Sequence, residues 1–257
     1  MEMISLKSAR ELELMREAGR VTAGARRVAG EMVQPGVTTK EIDQAVRKFI
    51  KAQGATASFL GLYGFPGAAC ISVNQEVIHG IPGHKKLREG DIVSVDVGAC
   101  LAGYHGDCAA TFPCGQVSKE AERLIQVTRD SFFAGIAKAR VGGRVSDISH
   151  AVQSYVEERG CSVVRDYVGH GVGTKVHEAP EVPNFGPAGH GARLQPGMVL
   201  AVEPMVNLGD WPVRVLENEW TVVTQDGSLS AHFENTIAIT DGDPEILTQW
   251  EGRWDGF

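Results

Sequence analysis

The chain has 257 residues, of which 43% are hydrophobic and 22% charged, and its net charge is −7. That length suits one α/β domain with a continuous core, and the acidic balance excludes a general nucleic-acid-binding surface, which needs a basic patch. Cys70, Cys100, Cys108, Cys114 and Cys161 form no C-x-x-C pair and read as reduced thiols. The opening residues run straight into a polar, helical pattern, and the apolar runs around Ile92–Val97 and Met198–Val206 are broken by acidic residues. Neither a secretory signal nor a membrane span is expected, so the expected location is the cytoplasm.

Ser8-Ala9-Arg10-Glu11 has capping-box form, and Leu14, Ala18, Val21, Ala25, Val28 and Met32 recur at steps of three and four. This predicts a long amphipathic helix ending near Pro35-Gly36. Thr38-Thr39-Lys40-Glu41 offers a second capping box, and Ile42, Ala45, Val46, Phe49 and Ile50 give a second helix that Gly54 stops. Strand-like segments follow at Ala68–Val73, Glu76–His79, Asp91–Val97 and His105–Phe112. A helix-rich stretch runs from Ser118 to Arg159, and strands dominate from about Val163 to Thr240.

The second half echoes the first. Gly36, Ile42, Ala45, Val46, Phe49 and Gly54 match Gly142, Ile148, Ala151, Val152, Tyr155 and Gly160 at one constant spacing. LREGDIVSVD, ending at Asp96, matches LQPGMVLAVE, ending at Glu203, at a spacing one residue longer. Two related α/β halves, about 8–112 and 118–240, are therefore expected around a pseudo-twofold axis within a single 1–257 domain. The repeat sets Asp96 opposite Glu203.

Alternate residues of a strand share a face, so Asp96 lies with Ser94 and Glu203 with Ala201, small neighbours that leave room beside each carboxylate. A carboxylate unpaired in an apolar strand costs several kcal/mol unless it is paired, protonated or metal-bound. Taken alone, either residue reads as a strand-end carboxylate that caps a helix or pairs with an arginine. Asp107 changes the balance, because Gly98, Gly103 and Gly106 suit a hairpin that returns it to Asp96. Glu234 adds a fourth carboxylate in the β-prone run His-Phe-Glu-Asn-Thr. Four negative charges call for two divalent cations, since one would leave an excess.

His170 and His177 stand in GHGVGTKVHEAP, where the glycines and Pro180 oppose a helix and favour a turn that swings both imidazoles towards one cavity. His84, His105, His150 and His190 read as ordinary core or surface residues. His232 shares a strand face with Glu234 and is expected to line the site without being a ligand. Asp96, Asp107, His170, Glu203 and Glu234 form a hard, oxygen-rich set with one imidazole, suited to Mn(II), Fe(II), Co(II) or Zn(II). Two metals held in this way activate a water for hydrolysis.

With those residues assembled, the chain resembles the bacterial type I methionine aminopeptidases. VIHGIP, DIVSVDVGACLAGYHGDCAATF, GHGVGTKVHEAP, LQPGMVLAVEPM and WTVVTQDGSLSAHFENTIAIT carry the resemblance in that order, which covers almost the whole chain, Ile4 to Ile246. It implies the pita-bread α/β (α+β) fold, in agreement with the repeat. It also implies that Asp96 binds one metal, that Asp107 and Glu234 bridge two, and that His170 and Glu203 complete the second. Glu203 is further implied as proton relay, His177 as the group on the scissile carbonyl and His79 as the contact to the substrate amide. Phe65, Cys70 and Trp220, with Tyr63 nearby, are implied for the methionine pocket. Leu62, Val176 and His232 depart from residues common in the family without removing a ligand. The implied substrates are nascent polypeptides whose N-terminal methionine precedes a small residue, met in passing contact with the ribosome by a monomer. The nearest rival is an X-Pro aminopeptidase or prolidase of the same fold, and a further rival is a binding protein that has lost catalysis.

Overall fold

Both expected capping boxes form. The Glu11 amide donates to Ser8 Oγ at 3.4 Å while the Ser8 amide donates to Glu11 Oε2 at 2.8 Å. This exchange satisfies two orphan donors at the start of α1 (Ala9–Glu31). Thr38 and Glu41 repeat it ahead of α2 (Thr39–Ala52), at 3.2 and 2.7 Å. The structure is a computed structural model that describes residues 3–250, so both ends of the expected 1–257 domain lie outside the described residues. The helix-rich stretch is two helices, α3 (Lys119–Ile136) and α4 (Val145–Glu157), parted at Gly142, whose φ of 87° a residue with a side chain rarely adopts.

Among the described residues the main sheet has nine strands. Across it run Thr56–Ala57, Ile92–Leu101, Tyr104–Pro113, Glu234–Ala238, Val199–Val202, Gly169–Gly171 and Glu178–Val182, in that spatial order. Ala69–Val73 also pairs with Ile92–Leu101, and Glu245–Ile246 with Glu234–Ala238; every pairing in the sheet is antiparallel. Strands of the first half thus meet strands of the second along the seam between Tyr104–Pro113 and Glu234–Ala238. α1 packs over the first half's hairpin and α2 on α1 and the strands Thr56–Ala57 and Ala69–Val73, while α3 and α4 pack on each other and α3 on the strand Ser230–His232. This is the doubled α/β arrangement of the pita-bread fold. One core cluster takes Val21, Ile42 and Val95 from the first half and Leu124, Ile148, Leu200 and Ile237 from the second. Among the described residues no helix is long and apolar enough to cross a membrane.

Two local features aim the acidic strands. Leu101 pairs with Tyr104 across a two-residue turn in which Ala102 and Gly103 have φ of 51° and 83°. Positive φ at both positions is the type I′ geometry that matches strand twist. The second feature departs from expectation: Glu203 lies one residue beyond the strand Val199–Val202 rather than inside it. Pro204 follows and has no N–H for the ladder, and the chain re-pairs as Met205–Asn207 in a separate three-stranded sheet.

At Gly106 the hairpin packs directly on α1. A Cβ there would stand 2.7 Å from Thr22 Oγ1 and 2.8 Å from Gly19 Cα. Replacing Gly106 with alanine should force α1 off the strand that carries Asp107 and lose about 1–3 kcal/mol of stability, as overpacking does. Urea denaturation reads this directly. An unchanged midpoint would mean that the helix yields freely.

Candidate metal centre

Strand register alone brings five donor side chains to one face of the sheet. Asp96 pairs with Ala109, which pairs on its other side with Glu234, so these three share a face with only a methyl between the carboxylates. Asp107 lies two residues before Ala109, on the same face and diagonal to Asp96. Asn235 pairs with Val202, and the same register carried one step further sets Glu203 opposite Glu234. His170 pairs with Ala201, two residues before Glu203. The sequence reading of Asp96, Asp107, His170, Glu203 and Glu234 as neighbours therefore corresponds to one continuous patch.

Distances agree with the register. Donor atoms of Asp107, His170 and Glu234 all lie within 4.8 Å of one another. His170 Nε2 is 3.5 Å from Glu203 Oε1 and 3.8 Å from Asp107 Oδ2. The sheet ladder opens beside Asp107, where Thr236 takes over: its hydroxyl donates to the Asp107 carbonyl at 2.8 Å and accepts from the Asp107 amide at 3.0 Å. Behind the patch, the buried Arg26 of α1 donates to the Glu234 carbonyl at 3.2 Å and to Asn235 Oδ1 at 3.0 Å. Arg26 thus fixes the strand while leaving the Glu234 carboxylate unengaged.

The electrostatics leave this patch short of positive charge. Asp107 and Glu234 are 3% and 2% exposed, and Asp107 Oδ1, Glu234 Oε1 and Asp96 Oδ1 have no hydrogen-bond partner. Burial, with smaller help from neighbouring carboxylates, pushes the carboxyls of Asp107, Glu203 and Glu234 well above their usual range. Burial also lifts Asp96 to about 7. Acidic groups that resist ionising at neutral pH, with bare oxygens facing one another, fit a site for divalent cations, which would replace the missing protons with fixed charge. Oxygen donors with one imidazole suit hard or borderline ions rather than the thiolate sites of structural zinc.

The patch floors a cavity of about 1260 Å³ that also reaches His79, His177, Phe65, Cys70, Trp220 and Tyr63. His79 sits just past the strand Glu76–Ile78 at φ 58°, a costly conformation for a residue with a side chain, and its ring meets Tyr167 edge-on at 5.7 Å. Burial and then the nearby His177 depress its pKa to about 4. His177 lies at the exposed mouth, edge-on to His170 at 4.4 Å and stacked with Tyr63 at 6.0 Å. Desolvation of its inner side lowers its pKa too. Both are therefore neutral imidazoles near pH 7, each with one N–H to donate.

Phe65, Cys70 and Val176 form an apolar cluster with Phe59, against which Leu62, Ile81 and Trp220 pack. Cys70 pairs with Asp96 across the ladder, and burial followed by the Asp96 charge raises its thiol well above the usual range. It is accordingly a thiol in an apolar wall and not a thiolate donor. His232 is buried beside the patch, its Nε2 3.9 Å from both Glu203 Oε2 and Glu234 Oε2, and is not among the residues that line the open cavity. Phe59, Ile78 and Tyr167 line the cavity unforeseen. An aromatic or aliphatic residue at a wall looks in sequence like any core residue, so no signal marked them.

The pattern of the metallopeptidase family M24 matches residues 13–241 of the chain. The methionine aminopeptidase of Clostridium perfringens is 57% identical over 246 residues, covering 96% of this chain and 99% of that protein. Methionine aminopeptidase 1 of Bacillus subtilis is 53% identical, over 96% of this chain and 100% of its own length. The crystal structure of the Thermotoga maritima methionine aminopeptidase superposes with a TM-score of 0.95 at 46% identity, over 96% of this chain and all of that one. A prolidase from Pyrococcus furiosus, at 22% identity and a TM-score of 0.76, shares the fold over 66% of its length.

Stability of the metal-free protein should carry the signature of this patch. A carboxyl whose folded pKa is raised, as Asp96 is from 3.8 to about 7, contributes stability that is complete below 3.8 and drains as pH rises through 7. The depressed histidines act the other way, but their loss comes on the acid side, between 6.5 and about 4 for His79 and His170. From pH 6.5 to about 8 the carboxyls alone should set the slope, so the chelated protein should melt at progressively lower temperature. Added Mn(II) should reverse that slope by binding the deprotonated groups. A chelated protein with a flat or rising melting temperature over that interval would show that the carboxyls are not held as described.

Proposed function

The chain belongs to the metallopeptidase family M24, and we propose that it is a methionine aminopeptidase that removes the N-terminal methionine of nascent chains when the second residue is small. It does so with two divalent cations, Mn(II), Fe(II), Co(II) or Zn(II), held by Asp96, Asp107, His170, Glu203 and Glu234. One observation carries the reading. Five donor side chains share one sheet face, three of their oxygens lack partners, and the cavity above them has an apolar end and two neutral imidazoles.

Asp96 would hold one cation, His170 and Glu203 would hold the other, and Asp107 and Glu234 would serve both. When bound, the cations lower the pKa of water and polarise the scissile carbonyl. The protein's own groups do the rest. Glu203 accepts the proton that the attacking water sheds and passes it to the departing amine. His177, a neutral N–H donor at the cavity mouth, hydrogen-bonds the carbonyl oxygen as charge develops on it. His79 contacts the substrate amide and positions the leaving nitrogen. Phe65 and Trp220, edge-on at 5.1 Å, and the thiol of Cys70 surround the methionine side chain. Contacts of its sulfur with aromatic edges contribute about 0.3–1.5 kcal/mol each. A larger second residue would meet the two imidazoles that flank the scissile bond. The reaction takes place in the cytoplasm, on chains emerging from the ribosome, and a monomer with a single domain carries it out.

Three peptides test this reading. Protein stripped of metal and reloaded with Mn(II), Co(II) or Fe(II) should cleave Met-Ala-Ser, leave Leu-Ala-Ser and Ala-Pro-Ala intact, and stop when chelator is added. Cleavage of Ala-Pro-Ala instead would favour the prolidase-like alternative. Glu203→Gln should retain less than about a tenth of wild-type kcat, a barrier increase above roughly 1.4 kcal/mol. His177→Ala should lower kcat with metal affinity, measured by calorimetry, unchanged; a collapse of affinity would make His177 a ligand instead.

A further inference from the structure

His177 sits on a turn, and the groups that hold that turn are not on the sheet face that carries the donors. The residue after it, Glu178, turns its carboxylate back over the loop: Oε1 accepts from the Lys175 amide at 3.2 Å and from Thr174 Oγ1 at 3.4 Å. Gly173 is packed so closely under that carboxylate that a Cβ there would fall 2.3 Å from Oε1. The other carboxylate oxygen, Oε2, accepts from Lys7 Nζ at 2.6 Å, across 171 residues of sequence, and the two side chains are only 4% and 14% exposed. Lys7 is itself fixed, because its amide donates to the Gly197 carbonyl at 2.7 Å, and Gly197 leads into the strand Val199–Val202 that ends at Glu203. Nearby, Ile4 reaches the wall of the cavity.

We propose that Lys7 and Glu178 are positioning residues for the hydrolysis, an enclosed ion pair that locks the 173–178 turn and so sets the His177 imidazole against the substrate carbonyl. This rests on the reading of His177 given above. The rest of the turn is held by backbone contacts at its start, where the Gly173 carbonyl accepts from the His105 amide at 2.9 Å. Thr174 and Lys175 are exposed, and the His177 ring meets only other rings, stacked with the exposed Tyr63 and edge-on to His170. The backbone of Glu178 pairs with Gly171 in the sheet, so what the carboxylate adds is its hold on the exposed 174–175 segment; without it that segment would loosen, and a donor displaced by a fraction of an ångström stabilises the transition state poorly. The pair links the His177 turn to the strand that delivers Glu203, so the two sides of the scissile bond share one anchor.

Removing a single partner would leave an uncompensated enclosed charge, so the test uses the double variant Lys7→Met/Glu178→Gln. Glutamine keeps an acceptor oxygen for the Lys175 amide. In the metal-loaded full chain acting on Met-Ala-Ser, kcat should fall about tenfold, equal to about 1.4 kcal/mol. KM should stay within about twofold and calorimetric metal affinity should be unchanged. The same pair of changes made in a His177→Ala background should lower kcat no further, because the pair acts through that imidazole. Unchanged kcat in the double variant, or a full additional loss in the His177→Ala background, would overturn the proposal. An unaffected kcat in His177→Ala alone would instead remove the reading on which it rests. If the double variant does not fold, Glu178→Asp, which keeps the charge but is too short to reach both Lys7 and the Lys175 amide, reads the same split between kcat and KM.

Discussion

Four carboxylates gathered on one face of an antiparallel sheet repel one another, and the protein tolerates this only by leaving room for cations between them. At a separation of roughly 4 Å and an effective dielectric constant of about 20, each pair of like charges costs about 4 kcal/mol. That is a large share of the 5–15 kcal/mol by which a domain is typically stable. Without cations the groups stay partly protonated, as the raised pKa values of Asp96, Asp107, Glu203 and Glu234 indicate. The surrounding structure therefore has to hold the carboxylates close without satisfying them. Arg26 bonds the backbone beside Glu234 and the Asn235 side chain, and Thr236 bonds both backbone groups of Asp107. Each stiffens a strand and leaves the carboxylate oxygens bare.

The same economy shapes the space above the patch. An apolar cluster and a group of imidazoles share one cavity, and each makes the other useful. Burial keeps His79 and His170 neutral near pH 7, so one can donate a hydrogen bond and the other can offer a lone pair. A protonated imidazole could not act as a ligand, and cationic side chains would compete with metal for the carboxylates. His79 holds a positive φ between a strand and a glycine, a local cost that persists because Tyr167 and Trp220 both pack on its ring. Strain of this kind is usual where a side chain has to be aimed.

Much of this was legible in the sequence because it is written in local code. Capping boxes at Ser8 and Thr38, the hairpin glycines before Asp107 and the echo of LREGDIVSVD in LQPGMVLAVE depend on neighbours a few residues apart. The echo carries the most, since it relates Asp96 to Glu203 without reference to any contact between them. Period-two alternation also told which residues share a strand face, though it could not see that Pro204 ends the strand just before Glu203.

What only the tertiary structure decided is whatever depends on which strands lie side by side. Register across the seam between the halves sets Glu234 against Ala109 and hence beside Asp96, and no periodicity within either strand contains that pairing. The place of His232 is of the same kind: it ends one strand just before Glu234 begins the next, and packing sets its ring 3.9 Å from both Glu203 and Glu234 while burying it away from the open cavity. Phe59 and Tyr167 at the cavity wall, and Lys7 meeting Glu178 from the opposite end of the fold, follow from packing between distant segments. Sequence determined the chemistry available, because donor types and local turns are properties of short segments. Tertiary structure determined which donors meet, because distances of a few ångströms between remote residues are fixed only when the sheet closes.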